Sequence, residues 1–252
     1  MILRRLGNKS KMASELLKHF PDHNIYAEPF FGAGGMFFNK PKVKYNIVND
    51  LDSDVFNLFQ VVTTRRDELM EHFKIMPIYS DLLHYWKENK ETDEIRKCLR
   101  FIFLSNFTFM GKPDNIKYGT ENPKAIFIKG LQKTFELISD VQFSNLEFRK
   151  FFNILRETQS VKTFIYCDPP YLGTTDNYSH SFTEDDSNDL FDCLVQSKCK
   201  FAMSEFDHPF ILEQAKDRGL NVINIGERQN LENRRIEILV TNYEKRQMSF
   251  FN

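Results

Sequence analysis

The residues richest in chemistry are Tyr166-Cys167-Asp168-Pro169-Pro170-Tyr171, which follow the apolar pair Phe164-Ile165. An acid at the carboxyl end of a buried strand stands where open α/β sheets bind ligands. Two consecutive prolines fix φ and remove two backbone donors. The turn therefore offers a carboxylate and carbonyl oxygens with few competing N–H groups. Such an acceptor-only set suits a planar amino group with two N–H donors. An aromatic amine delocalises its lone pair into the ring and is a poor nucleophile. Acceptors on both N–H bonds favour a pyramidal nitrogen whose lone pair can face an electrophile. Positioning and electrostatics supply most of such an acceleration. Tyr171 can stack on a flat ring. The plain alternative is a DPP turn that only caps a strand.

A second cluster is Glu28-Pro29-Phe30-Phe31-Gly32-Ala33-Gly34-Gly35. Glycines after a strand let backbone approach a ligand closely. The spacing is GxGG rather than GxGxxG, so a dinucleotide fingerprint is incomplete and a nicotinamide oxidoreductase is disfavoured. Asp50, ending the next strand, can accept hydrogen bonds from both hydroxyls of a ribose. It also suits a turn or the N-cap of a helix beginning near Ser53. A third cluster is Arg5-Leu6-Gly7-Asn8-Lys9. A flexible glycine before a lysine at a helix start can hold a carboxylate, or the lysine can simply be solvated.

The elements that must position these residues follow from periodicity. Residues 9–20 read as an amphipathic helix stopped by Pro21, and 24–29 as a short buried strand. The glycine turn leads into a short helix to about Asn39, and 44–49 is a second strand. Residues 53–110 are helical with breaks near Thr63 and Pro77. Ile95, Leu99, Ile102, Phe103 and Phe107 mark one apolar stripe. Residues 111–130 read as irregular and basic. Strands are expected at 141–144, 162–167, 199–203, 220–225 and 236–241, with helices near 147–156, 185–197 and 208–218. The last two strands form an antiparallel hairpin. The fold class is α/β, a Rossmann-like, mostly parallel sheet with a reversed last strand.

The formal net charge is −1, so no global basic field points to a polyanion. Locally, Lys112, Lys117, Lys124, Lys129 and Lys133 face only Asp114 and Glu121, which leaves residues 111–133 at +3. The 26 phenylalanines against one tryptophan fill core positions, with some able to stack on flat ligands. Cys98, Cys167, Cys193 and Cys199 show no CxxC spacing. No metal site is expected, and the scatter suits a reducing cytosol. The N-terminus does not read as a signal peptide, and no apolar run reaches membrane-spanning length.

Taken in order, these pieces resemble the Dam-like DNA adenine-N6 methyltransferases, the α group of amino methyltransferases. The resemblance runs from Gly7-Asn8-Lys9 through Glu28-Pro29-Phe30-Phe31-Gly32-Ala33-Gly34 and Asn49-Asp50 to Asp168-Pro169-Pro170-Tyr171. It continues into Tyr178, Ser181-Phe182 and the segment Arg235-Ile236-Glu237-Ile238-Leu239-Val240-Thr241-Asn242-Tyr243. It implies methyl transfer from S-adenosylmethionine to an adenine flipped out of double-stranded DNA. Asp168, Pro169, Pro170 and Tyr171 would form the adenine pocket, with Asp168 also near the methyl donor. Phe30, Gly32 and Gly34 would line the cofactor site, and Asp50 would hold the ribose. Arg5, Gly7 and Lys9 would lie near the methionine end, and Glu147 or Phe148 near the cofactor's adenine.

The resemblance also implies a division of the chain. Residues 1–53 and 140–252 would form the catalytic domain, and 54–139 a helical, basic target-recognition insert. Candidate DNA contacts are Asn106, Lys112, Asn115, Lys117 and Lys124. Arg5 stands where the family usually carries an aromatic. The Phe-Asn-x-Pro-Phe-Gly core of GATC-reading members is not evident, so GATC specificity does not carry over. Asp168 favours adenine over cytosine-N4 methylation, for which a serine would be expected. A DNA-binding homologue with an impaired cofactor site is the other alternative. The tail Gln247-Met248-Ser249-Phe250-Phe251 resembles the bacterial sliding-clamp pentapeptide. The expected setting is the cytoplasm of a bacterial or phage-infected cell, with DNA as partner and no membrane.

Overall fold

The computed structural model describes the chain except residues 1, 4–6, 110–111, 118–121, 158–161, 174–181, 230–233 and 245–252. Arg5, Tyr178, Ser181 and the Gln247–Phe251 tail therefore lie outside the described residues, as does the side chain of Lys112. Two compact units share the chain. One comprises 1–11, 31–42 and 49–145; the other comprises 12–30, 43–48 and 146–252. We call them the helical unit and the sheet unit.

The strands are β1 (Ile25–Glu28), β2 (Tyr45–Asn49), β3 (Thr108–Phe109), β4 (Lys112–Ile116), β5 (Gln142–Ser144), β6 (Thr163–Cys167), β7 (Lys200–Phe206), β8 (Asn221–Gln229) and β9 (Arg234–Thr241). Seven of them form one sheet in the order β5-β2-β1-β6-β7-β9-β8. β1 is parallel to β2 and β6, and β6 is parallel to β7. β9 runs antiparallel to both β7 and β8, so the last strand enters reversed between them, as its hairpin pattern predicts. β6 is buried at all five positions, which explains its unbroken run Thr163-Phe164-Ile165-Tyr166-Cys167. The chain leaves β1 toward β2 and leaves β6 toward β7, in opposite directions across the sheet. The gap between β1 and β6 is thus a topological switch point, where open α/β sheets bind ligands.

The sheet unit's helices are α1 (Ala13–Leu17), α7 (Phe148–Glu157), α8 (Glu184–Gln196) and α9 (Pro209–Asp217). Phenylalanine makes much of its core: Phe148, Phe151, Phe152, Phe191 and Phe201 pack with Leu190, Met203 and Ile211. α8 begins with a capping box, in which Thr183 and Asp186 exchange side-chain-to-backbone hydrogen bonds. Arg149 Nη2 adds a 2.8 Å contact to the Asp186 carboxylate. Burial pushes the Asp186 carboxyl up, but hydrogen bonds from Arg149 and Thr183 outweigh it and hold the group below the usual carboxylate range.

The helical unit contains α2 (Ser53–Thr64), α3 (Arg66–Ile75), α4 (Ser80–Glu88), α5 (Glu94–Asn106) and α6 (Pro123–Ile138). Asn57 Nδ2 ties α2 to α5 through the Glu94 carbonyl at 3.0 Å. Three local expectations fail here. α6 begins at Pro123, whereas 111–130 read as irregular. Pro123 and Gly130 look like breakers, yet proline is favoured in a first turn, and Asn122 caps it through Ala125 N–H. A short hairpin, β3 with β4, also occupies part of that stretch. The segment after the glycine turn forms linked turns rather than a helix, with Phe38 N–H on Gly34 O and Lys40 N–H on Met36 O. In the sheet unit, the helix expected over 9–20 shortens to α1, preceded in the helical unit by a 3-10 turn at Lys9–Lys11.

All four cysteines are free; Cys98, Cys167 and Cys199 are buried and Cys193 is half-buried. Burial pushes the Cys98, Cys167 and Cys199 thiols up. Among the described residues, no helix is long and apolar enough to cross a membrane.

Phe201→Ala should destabilise the chain by about 3–5 kcal/mol in urea titrations, because it empties a fully buried ring site on β7. Thr183→Ala should cost about 1 kcal/mol near neutral pH by removing the cap. Asp186 has a lower pKa folded than unfolded, so its stabilisation exists above the unfolded value, about 3.9, and disappears as pH falls through the folded one. The gap between Thr183→Ala and wild type should therefore narrow in acid. An equal gap at all pH values would refute that link.

Candidate active site

In the sheet unit, β1 and β6 end side by side, with Ala27 opposite Ile165. Glu28 closes β1 and Asp168 follows β6 directly. Asp168 is half-buried; Pro169 and Tyr171 are buried. Tyr171 is 8% exposed and its hydroxyl donates to Glu237 Oε1 on β9 at 2.5 Å. Its ring meets Phe206 edge-on at 4.7 Å. The next N–H, of Leu172, donates to Glu205 Oε1 on β7 at 2.8 Å. Glu205 Oε2 accepts the N–H of Phe206. Beneath them, Tyr26 donates to Glu28 Oε2 at 2.8 Å, and Tyr166 shares a 2.8 Å bond with Ser204.

Glu28, Glu205 and Glu237 are thus buried at 2%, 2% and 0% exposure. Buried carboxylates are costly unless hydrogen-bonded, and phenols and backbone N–H groups provide the donors here. Burial, then the charge of Glu28, pushes the Tyr26 hydroxyl pKa up. Burial and the charge of Asp168 do the same for Tyr166 and Tyr171. The phenols therefore stay protonated and act as donors. The strand ends are rich in carboxylate acceptors, which suits N–H donors.

Beside this cluster, Phe30 packs against Phe148 at 5.7 Å and edge-on to Phe182 at 6.1 Å. Glu147 accepts 2.7 Å and 2.9 Å bonds from the side chain and N–H of Arg149. The guanidinium of Arg149 also lies 4.3 Å from the Phe148 ring. Phe30, Glu147 and Phe148 are thus gathered at one place, with Phe182 as a member the sequence reading gave no role.

In the helical unit, Asp50 straps the glycine turn. Its Oδ2 accepts the N–H of Gly32 at 2.5 Å, and its Oδ1 the N–H of Asp52 at 2.8 Å. Asp52, not Asp50, caps α2 through Asp54 N–H. Gly32 has φ +54°, and a Cβ there would meet open space, so backbone is accessible at this point. Gly34 has φ +70°, and a Cβ would lie 2.5 Å from the Phe38 ring and 2.7 Å from Phe31. A Cβ at the next residue, Gly35, would stand 2.8 Å from the backbone N of Lys9, which places the buried Lys9 against the turn. Gly7 opens that segment with φ +85°.

The candidate DNA contacts divide. Asn115 and Lys117 are exposed at the end of β4 and just after it. Lys117 and Ile116 line a cavity of about 530 Å³ with Ile78, Tyr79 and Phe107. Asn106 is buried, and its amide donates to Ile2 O at 2.8 Å. Lys124 Nζ caps the end of α3, bonding Lys74 O at 2.6 Å and Met76 O at 2.8 Å. The polar heads of Asn106 and Lys124 are committed to the protein itself.

Sequence reading gave no role to Tyr26, Glu28, Tyr166, Glu205 or Glu237. A signal existed for the last two: each is a lone acid inside an apolar strand, in Ala202-Met203-Ser204-Glu205-Phe206 and Ile236-Glu237-Ile238-Leu239-Val240. A charge at a core position needs a partner, and the pattern alone does not name it.

Residues 6–231 match the profile of the D12 class N6 adenine-specific DNA methyltransferase family. The chain is similar to Type II methyltransferase M.MjaIII of Methanocaldococcus jannaschii, 28% identical over 74% of this chain and 74% of the relative. It is also similar to the Retron Ec67 DNA adenine methylase of Escherichia coli, 26% identical over 85% of this chain and 76% of that one. The DNA adenine methylase of Escherichia coli strain K12 is 25% identical over 88% and 86%. With the matched span covering the glycine turn, Asp50 and the Asp168–Tyr171 turn alike, the chain belongs to the D12 class N6 adenine-specific DNA methyltransferases, and its reaction is methylation of adenine N6 in DNA.

Proposed function

We propose that the chain methylates an adenine extruded from duplex DNA at a specific sequence, gripping its amino group with the Asp168–Tyr171 turn. The observation that supports this reading best is the turn itself. It follows a fully buried strand at the switch point of the sheet, carries a half-buried carboxylate, and holds two residues without N–H groups. The Asp168 carboxylate and the Pro169 carbonyl accept the two N6–H bonds. Held so, the nitrogen is pyramidal and its lone pair is drawn out of conjugation with the ring. Asp168 also holds the hydrogen bond along which a proton leaves N6 when the new N–C bond forms.

The family implies S-adenosylmethionine as donor, and the residues present fit it. The open space at Gly32 and the accessible backbone there suit a closely held ligand, and the Asp50 carboxylate is oriented by two N–H donors. When bound, the cofactor supplies a methyl electrophile on a sulfonium. Asp50 would hold the ribose hydroxyls, and Phe30, Gly32 and Gly34 would line the site. Phe148, with Glu147, would lie at the adenine, and Gly7 and Lys9 at the methionine end. Residues 54–139 would read the target, with Lys112, Asn115 and Lys117 reaching phosphates and base edges from the hairpin. The Gln247–Phe251 tail is proposed as a sliding-clamp ligand on its sequence alone.

Labelled methyl from S-adenosylmethionine should enter adenine-containing duplex as N6-methyladenine, identified by nucleoside mass spectrometry. Asp168→Ala should abolish transfer while the unfolding curve persists. Recovery of N4-methylcytosine, or an active Asp168→Ala enzyme, would overturn the assignment. Asp50→Ala should weaken cofactor binding by about 10- to 100-fold in calorimetry, the scale of hydrogen bonds to a charged group. An unchanged dissociation constant would remove Asp50 from the site.

A further inference from the structure

We propose that Glu237 and Glu205 are positioning residues for methyl transfer, buried carboxylates that fix Tyr171 and the backbone after Asp168 from behind. The inference rests on the reading of that turn as the adenine-binding element and extends it to residues that touch no substrate.

No backbone ladder holds the turn. Pro169 and Pro170 have no N–H, and residues 168–171 belong to no strand or helix. Its order must come from outside. Two anchors are visible. The Tyr171 hydroxyl donates to Glu237 Oε1, and the Leu172 N–H donates to Glu205 Oε1. Both acceptors sit on interior strands of the sheet, in adjacent register: Glu205 opposes Ile238, and Phe206 opposes Glu237. Phe206 completes the grip, its ring lying edge-on to Tyr171 with the Arg235 guanidinium 5.3 Å away over it.

The chemistry of the anchors matters. A carboxylate accepts the phenol O–H in a charge-assisted bond, stronger than a neutral one. Glu205 spends its second oxygen on Phe206 N–H, which stiffens the bond it makes to Leu172. With its hydroxyl bound and its ring only 8% exposed, Tyr171 cannot swing away. The neighbouring Asp168 carboxylate and Pro169 carbonyl are then held by a short, tethered loop. Displacements of ~1 Å at such a place cost on the order of 100-fold in rate.

The test compares Tyr171→Phe, Glu237→Ala, Glu237→Gln and the Tyr171→Phe/Glu237→Ala pair with Asp168→Ala, on full-length enzyme and duplex DNA. Rates are taken per cofactor-binding site, counted by calorimetric titration, so that misfolded protein does not contribute. Tyr171→Phe and Glu237→Ala should each lower kcat more than about 5-fold with KM for S-adenosylmethionine little changed, as expected for lost orientation rather than lost binding. The pair should lose no more than the worse single variant, because both remove one interaction. Glu237→Gln, which keeps an oxygen acceptor, should recover most of the loss. Tyr171→Phe within about 5-fold of wild type in kcat, or losses that multiply in the pair, would overturn the proposal. If Glu237→Ala does not fold, Tyr171→Phe decides alone. A dead Asp168→Ala beside wild-type Tyr171→Phe and Glu237→Ala rejects only this inference. An active Asp168→Ala rejects the adenine-pocket reading as well.

Discussion

Keeping negative charge dry beneath the strand ends is the constraint on which the sheet unit depends. Glu28, Glu205 and Glu237 are all but sealed from solvent. An uncompensated buried carboxylate is destabilising, so each must be met by donors in fixed places. Those donors are Tyr26, Tyr171 and the N–H groups of Leu172 and Phe206. These carboxylates thereby engage the hydroxyls of two tyrosines and the backbone N–H groups of Leu172 and Phe206. An apolar core would be simpler to build. It would also leave the Tyr171 hydroxyl and the Leu172 N–H without these acceptors, and the prolines of the turn cannot join a ladder.

The helical unit meets a related problem with backbone instead of phenols. Asp50 accepts N–H groups on both sides, from Gly32 and Asp52, and so joins the glycine turn to the start of α2. The glycines divide the labour. Gly34 is tight against two phenylalanine rings, whereas the position above Gly32 is open. The turn is thus packed on one side and accessible on the other, the arrangement a ligand-facing loop needs.

Much of this was legible in the sequence, and the reason is physical. The parallel strands are buried on both faces, so they appear as apolar runs, and the acids at their ends stand out. Asp168, Asp50 and the glycine turn fall where such runs stop. The reversed last strand was legible because two runs are separated only by a short polar loop. The helical unit was less so. Pro123 begins α6, although proline and glycine read as punctuation, and Phe107, placed on an apolar helical stripe, lies at the end of α5 where the chain turns into β3. Asn106 and Lys124 look like polar contacts by residue type. Their partners are main-chain carbonyls at Ile2, Lys74 and Met76, distant in sequence and invisible to local pattern. Glu205 and Glu237 were visible as oddities in apolar strands, but only tertiary pairing reveals what they hold.

The placement of the thiols has a practical side. Three of the four sulfurs are enclosed, and burial keeps them protonated, so they are poor nucleophiles toward alkylating reagents. Cys193, half-buried on α8, is the accessible exception. A fluorophore or spin label coupled there would sit against the core cluster close to Cys167 and so report from behind the end of β6, and no cysteine would first need to be engineered away.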